Sequence, residues 1–262
     1  MHIVAVQLDI VWENKARNHQ RVRELLSKCD IPAGSLIVLP EMFDTGFSMN
    51  LEVTAQTSRL ESESLLRELA DGYQSAVLGG VVGPVVDGKA SNLAVAIAPN
   101  GVELVRYQKQ RPFSLIGEEN HYPAGVGFSV FEWQGVQVSP FVCYDLRFPE
   151  LFRPAVFKGA ELIVVIACWP AVRSEHWVRL LQARAIENLA VTVGVNRCGE
   201  EPGLKFDGRS CAFNHSGKEL FQANGLPQVL QATIDIESMR RWRQKFPALR
   251  DAATVCESKV TF

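Results

Sequence analysis

The chain has 262 residues, 47% of them hydrophobic and 21% charged, with a formal net charge of -2. That length suits one large α/β domain over 1–262 with a sizeable core. Lysine and arginine are scattered rather than gathered into a stripe, which argues against nucleic acid or an anionic membrane as a partner.

Met1 to Asp9 reads directly as a strand, without the basic flank, long apolar run and small-residue cleavage site of a signal peptide. No run approaches the roughly 18 apolar residues of a membrane span, so a soluble, cytoplasmic protein is expected. Six cysteines, Cys29, Cys143, Cys168, Cys198, Cys211 and Cys256, include no C-x-x-C pair. Zinc-knuckle and thioredoxin-type chemistry are therefore disfavoured, and reduced thiols are expected.

Ile3 to Ile10 forms an apolar strand, followed by a helix over 14–29 with Val22, Leu25 and Leu26 at helical spacing. Ser35 to Leu39 is a short buried strand stopping at Pro40-Glu41. A carboxylate thus sits at the carboxyl end of a strand, where open α/β sheets place their sites. An arbitrary loop glutamate is usually solvated. Around Glu41, however, Met42, Phe43, Gly46, Phe47 and Met49 predict an apolar wall that favours a general base.

Ser58-x-x-Glu61 reads as a capping box for a helix ending near Asp71-Gly72. Strands over 77–82, 90–98 and 102–107, joined by turns at 86–89 and 99–101, predict antiparallel additions to the initial β-α-β-α-β run. Lys109 comes directly off the last of these. A lysine at a strand end is usually solvated, so by itself it is a weak signal. The polar loop over 114–127 follows, with Glu118, Glu119, Asn120, His121 and Tyr122. Long polar loops in compact domains often line sites.

Strands over 128–133 and 136–142 deliver Cys143, which opens what reads as a helix extending over 148–157. A strand-to-helix turn exposes backbone amides that stabilise a thiolate, making Cys143 the candidate nucleophile. The alternative is a small apolar core residue, the commoner fate of a free cysteine. A strand over 162–166 ends in Ala167-Cys168-Trp169-Pro170. An amphipathic helix over 175–189 and a strand over 191–196 come next. Strands over 208–214, 219–222 and 229–234, a helix over 237–245 and an irregular tail over 247–262 close the chain. Val255, Val260 and Phe262 in that tail have no local core, so either packing on a partner subunit or fraying is expected.

A thiol of ordinary pKa is mostly protonated at neutral pH, so attack on an amide needs a base such as Glu41. The oxyanion needs donors, which Lys109 and the Tyr144 backbone amide would provide. Glu41 would then protonate the leaving ammonia and activate water. No metal or organic cofactor is required.

Leu39-Pro40-Glu41-Met42-Phe43, Tyr107-Gln108-Lys109 and the run from Cys143 to Leu151 resemble, in order and spacing, the nitrilase or carbon-nitrogen hydrolase superfamily. Trp169-Pro170, Ala183 to Asn188 and Asn196-Arg197 extend the resemblance over nearly the whole chain. It implies a four-layer α-β-β-α sandwich with mixed sheets, with Glu41 as base, Lys109 as oxyanion stabiliser and Cys143 as nucleophile. The family's second glutamate matches Glu118, with Glu119 its competitor. The resemblance also implies a homodimer or higher homo-oligomer, stacked through helices near the nucleophile and over 179–188.

The site motifs look most like the ω-amidase branch, which implies 2-oxoglutaramate or 2-oxosuccinamate as the small-molecule amide substrate. Phe43, Tyr122, Arg147 and Trp169 are expected to touch it. Arg147, four residues after Cys143, serves either a substrate carboxylate or a structural salt bridge. Cys168 stands where asparagine often precedes the Trp-Pro pair, so a second thiol is expected beside the site. Alternatives are a deaminated glutathione amidase, a cysteine-histidine hydrolase using His121 or His176, and a catalytically silent binding protein.

Overall fold

The computed structural model describes residues 1–257, with side chains through residue 253. Apolar strands alternate with helices and pair into two six-stranded sheets. The first sheet runs β14 (Gln228–Thr233), β1 (His2–Gln7), β2 (Leu36–Val38), β3 (Ala76–Val82), β4 (Asn92–Ile97), β5 (Glu103–Gln108). The second runs β13 (Glu219–Gln222), β12 (Cys211–Phe213), β9 (Val191–Asn196), β8 (Leu162–Ala167), β7 (Val136–Val142), β6 (Phe131–Trp133). Parallel pairs form the centre of each, β1–β2–β3 and β7–β8–β9, with antiparallel strands outside them.

Strand alternation produces the layers. In the first sheet Ile3, Ala5, Leu36, Val38, Leu78 and Ala96 join the core shared with Phe141, Val164 and Val193 of the second. Their neighbours Val4, Val6, Ile37, Val77 and Val95 face the other way, onto Val22 and Leu26 of α1 (Lys15–Leu26) and Leu66 and Leu69 of α3 (Glu61–Tyr73). Between those helices lies the single turn α2 (Leu51–Thr54). On the far side, α4 (Phe152–Phe157) and α5 (Ser174–Asn188) cover the second sheet with Phe152, Ala155, Trp177 and Leu181. The result is the expected α-β-β-α sandwich.

Several elements depart from their sequence reading. The chain after Cys143 is not a helix start but a 3-10 segment, Cys143–Arg147, then a second at Pro149–Leu151 before α4. Asp145 bends back to accept from the Val142 amide, which tightens the turn. The α3 start is not capped by Ser58. Leu60 is left-handed (φ 50°), and Thr57 instead donates to Glu61 through both its amide and its hydroxyl. The polar stretch over 198–207 forms a hairpin, β10 (Cys198–Glu201) and β11 (Leu204–Asp207), whose charges hide its strand pattern. Buried Arg197 braces it, bonded to Glu201 at 2.6 Å and stacked 4.3 Å over Phe206. After α6 (Ile236–Lys245) the tail is not irregular, since 248–257 coils into α7 (Ala248–Glu257). The Val255 side chain, and Val260 and Phe262 with their expected packing, lie outside the described residues.

Candidate active site

β2, β5, β7, β8 and β9 all end at the same edge of the sandwich, and each delivers a side chain there. Glu41 follows β2, and β3 sets its position through Gly80. A Cβ on Gly80 would lie 2.4 Å from the Glu41 Cα, so no other residue lets the two backbones approach. The Gly80 amide donates to Pro40 at 3.0 Å, while its carbonyl accepts from Phe43. Met42, just past the glutamate, is left-handed (φ 42°), and so is Cys143 (φ 47°). Such conformations cost about 1–3 kcal/mol in non-glycine residues and persist where surrounding structure over-determines them.

Lys109, one residue past β5, is buried beside Glu41 and Glu118. Its Nζ donates to Glu41 Oε1 at 3.0 Å and to both Glu118 oxygens at 2.9 Å. Asn92 Nδ2 bridges the same carboxylates, at 2.8 Å from Glu41 and 3.1 Å from Glu118. The Cys168 amide donates to the other Glu41 oxygen at 2.9 Å. Glu41 is therefore held by donors rather than bare against the expected apolar wall. Burial works against the Lys109 charge, yet Glu41 and Glu118 hold its pKa above the ordinary value. It stays an ammonium. Of the two candidate second glutamates, Glu118 occupies the cluster while Glu119 is exposed.

Cys143 sits at the floor of a cavity of about 150 Å³, lined also by Lys109, Tyr144, Arg147, Trp169 and Arg173. Burial pushes its thiol well above the ordinary range, Glu41 adds to the rise, and Lys109 opposes it. The strand-to-helix turn therefore does not yield a resting thiolate. The turn itself is tied down by Asp145, whose oxygens accept from Tyr107 Oη at 2.8 Å, the Val142 amide at 3.1 Å and the Arg111 amide at 2.9 Å. Burial raises that carboxyl to about 6.

Trp169 lines the cavity, its backbone clamped by Asn196, whose Oδ1 accepts at 2.7 Å and whose Nδ2 donates at 3.0 Å. Cys168 also reaches the cavity wall, but its thiol donates to the Glu41 carbonyl at 3.2 Å. Two expected substrate contacts lie elsewhere. Phe43 is fully buried and stacks on His19 at 5.9 Å. Tyr122 is buried behind Met42, donating to the Ser48 carbonyl at 2.6 Å. Both were drawn toward the site by chain proximity, whereas their side chains point into packing. Neither His121 nor His176 lines the cavity, which leaves the cysteine-histidine arrangement unassembled.

Sequence reasoning passed over Asn92, Phe113 and Arg173. Asn92 carried a signal, an amide opening the otherwise apolar run of β4. Phe113 donates its amide to Glu118 Oε2, so the loop after Lys109 closes onto the cluster through backbone.

Residues 3–244 match the carbon-nitrogen hydrolase family model. The chain belongs to this family. It is 36% identical over 255 residues to an omega-amidase YafV of Yersinia enterocolitica, covering 96% of each chain. It is 29% identical to a 2-oxoglutaramate amidase of Bacillus subtilis, covering 95% of this chain and 96% of that one. A carbon-nitrogen hydrolase superfamily protein of Xanthomonas campestris, XC1258, with an arsenic adduct in its active site, superposes with a TM-score of 0.90 at 30% identity. That match covers 100% of this chain and 99% of the other. The chain is thus a hydrolase of carbon-nitrogen amide bonds. Among the described residues no helix is long and apolar enough to cross a membrane.

Proposed function

We propose that the protein hydrolyses the terminal amide of a small ω-amide of a dicarboxylic or keto-dicarboxylic acid, 2-oxoglutaramate or 2-oxosuccinamate, through a Cys143 thioester. The observation that carries this reading is a thiol at the floor of a small cavity beside a buried lysine clamped by two glutamates. Glu41 takes the thiol proton as sulfur bonds to the amide carbon. Lys109 and the Tyr144 amide receive the oxyanion. Collapse breaks the carbon-nitrogen bond, with the proton passing from Glu41 to the departing ammonia. Glu41 then takes a proton from water as oxygen bonds to the acyl carbon, and the released sulfur is reprotonated. Glu118 holds Lys109 in place and touches no reacting atom.

Arg147 supports the acid end of the substrate. It lies 4.8 Å over Trp169 on the cavity wall and has no carboxylate partner among the described residues. The 2-oxoglutaramate amidase among the relatives, and the arsenic adduct in the Xanthomonas site, are in keeping with a keto-acid amide and a thiol. We also propose that 1–262 acts as one domain in a homodimer or higher homo-oligomer, in the cytoplasm, where Cys143 stays reduced. Light scattering that finds only monomer would contradict the assembly.

The test is ammonia release across a panel of ω-amides, with deaminated glutathione included. Fast turnover of 2-oxoglutaramate that Cys143→Ala abolishes is the expected result. Preference for deaminated glutathione, or activity surviving in Cys143→Ala, would overturn the reading.

A further inference from the structure

The cavity mouth carries a second cation. Arg173, the last residue of the 3-10 turn Ala171–Arg173, lines the cavity together with Cys143, Tyr144 and Arg147. Its backbone is pinned at both ends, the amide donating to Pro170 at 3.0 Å and the carbonyl accepting from Trp169 Nε1 at 2.8 Å. Its guanidinium lies 5.3 Å over the Phe113 ring, as Arg147 lies over Trp169. Each planar fork is thus laid on an aromatic face that limits its motion.

The acids two residues from these arginines in the chain are committed elsewhere. Glu175 bonds Arg209 at 2.5 Å, and Asp145 is used by Tyr107 and two backbone amides. The Arg147 contact outside the cavity is His176 Nδ1, at 3.2 Å. Neither arginine has a carboxylate partner among the described residues. Burial, and after it the nearby Arg173 charge, lowers the Arg147 pKa, so the two cations feel one another. The lining is otherwise mostly apolar, which keeps that repulsion poorly screened. The arrangement suits an anion.

We infer that Arg173 acts with Arg147 as a two-cation clamp that admits ω-amides ending in a 2-oxo carboxylate and rejects the matching α-amino acid amides. This rests on the amidase reading above and adds a second residue and a reason for discrimination. A 2-oxo acid presents coplanar carboxylate and keto oxygens, all acceptors, which two guanidinium forks can share. An α-amino acid of the same length replaces the keto oxygen with an ammonium, cancelling the net charge and setting a third cation beside the two arginines. Selectivity then comes from repulsion of the wrong ligand as much as attraction of the right one.

The experiment compares kcat/KM for 2-oxoglutaramate and for glutamine in wild type, Arg173→Gln and Arg173→Lys. It is paired with calorimetric binding of 2-oxoglutarate and glutamate to Cys143→Ala, with and without Arg173→Gln. Arg173→Gln is expected to raise KM for 2-oxoglutaramate and lower its preference over glutamine at least about tenfold, with kcat falling far less, while Arg173→Lys restores most of the preference. An unchanged preference in Arg173→Gln, or equal losses with glutamine and lysine at position 173, would overturn the clamp and leave the amidase reading standing. Arg173-dependent binding of 2-oxoglutarate to Cys143→Ala, together with wild type that hydrolyses no ω-amide, would overturn the amidase reading instead.

Discussion

The floor of the cavity and its mouth hold charge in different ways. At the floor Lys109, Glu41, Glu118 and Asn92 are buried, and the ammonium has both carboxylates within 3.0 Å. At the mouth Arg147 and Arg173 rest on aromatic rings, with no carboxylate partner among the described residues, near exposed Leu115 and Val172. A buried, mutually satisfied network costs much to disturb and tolerates few arrangements. Cations without a carboxylate partner among the described residues, set at an opening, can be changed at small cost to the fold and are free to meet a ligand. In the proposed reading the floor sets the reaction and the mouth sets the substrate.

The largest effect should come from the floor. Cys143→Ala is expected to lower kcat by about four orders of magnitude or more, measured as ammonia release, with the melting temperature little changed. Asn92→Ala removes the amide that bridges Glu41 and Glu118. Hydrogen bonds to charged groups are worth about 1.5–3 kcal/mol, so a loss of roughly ten- to a hundredfold in kcat is expected. A variant retaining full kcat would show that Lys109 and the Cys168 and Phe113 amides hold the carboxylates without Asn92.

At the mouth, Arg147→Gln should raise KM for a carboxylate-bearing amide about tenfold while sparing kcat, the split expected of uniform binding. If kcat fell equally, Arg147 would belong with the floor. The resting thiol offers a smaller, signed effect. Burial and then Glu41 hold the Cys143 pKa up, so iodoacetamide should alkylate it slowly at pH 7 and faster as pH rises. Glu41→Gln removes one upward push. It should speed alkylation at pH 7 several-fold, followed at Cys143 by mass spectrometry, while hydrolysis is lost. Smallest of all, Leu115→Ser at the exposed rim should shift stability by no more than about 0.5 kcal/mol.

Much of the floor was legible because its residues stand at strand ends. Glu41 and Cys143 each follow an apolar run of the kind that announces a buried parallel strand, while Lys109 follows the mixed edge strand β5, which pairs antiparallel with β4, so only its place at a strand end marks it. Phe43 and Tyr122 were misplaced for a related reason. Proximity in the chain says nothing about which way a loop side chain turns, and Met42 and Cys143 take left-handed backbone that reverses the local direction. The hairpin over 198–207 was hidden because its strands are charged, and the residue that braces it, Arg197, lies outside both.

The amino-acid order by itself determined the layered α/β sandwich, the strands that feed its active edge, and a thiol, a lysine and a glutamate arriving there together. These follow from local periodicity and from what chemistry needs of those side chains. Tertiary structure alone decided that Glu118 rather than Glu119 meets Lys109, that Asn92 joins them from β4, and that Arg173 faces the cavity with Arg147. Those choices depend on contacts between elements far apart in the chain, and on close backbone approaches such as Gly80 against Glu41. No local pattern encodes them.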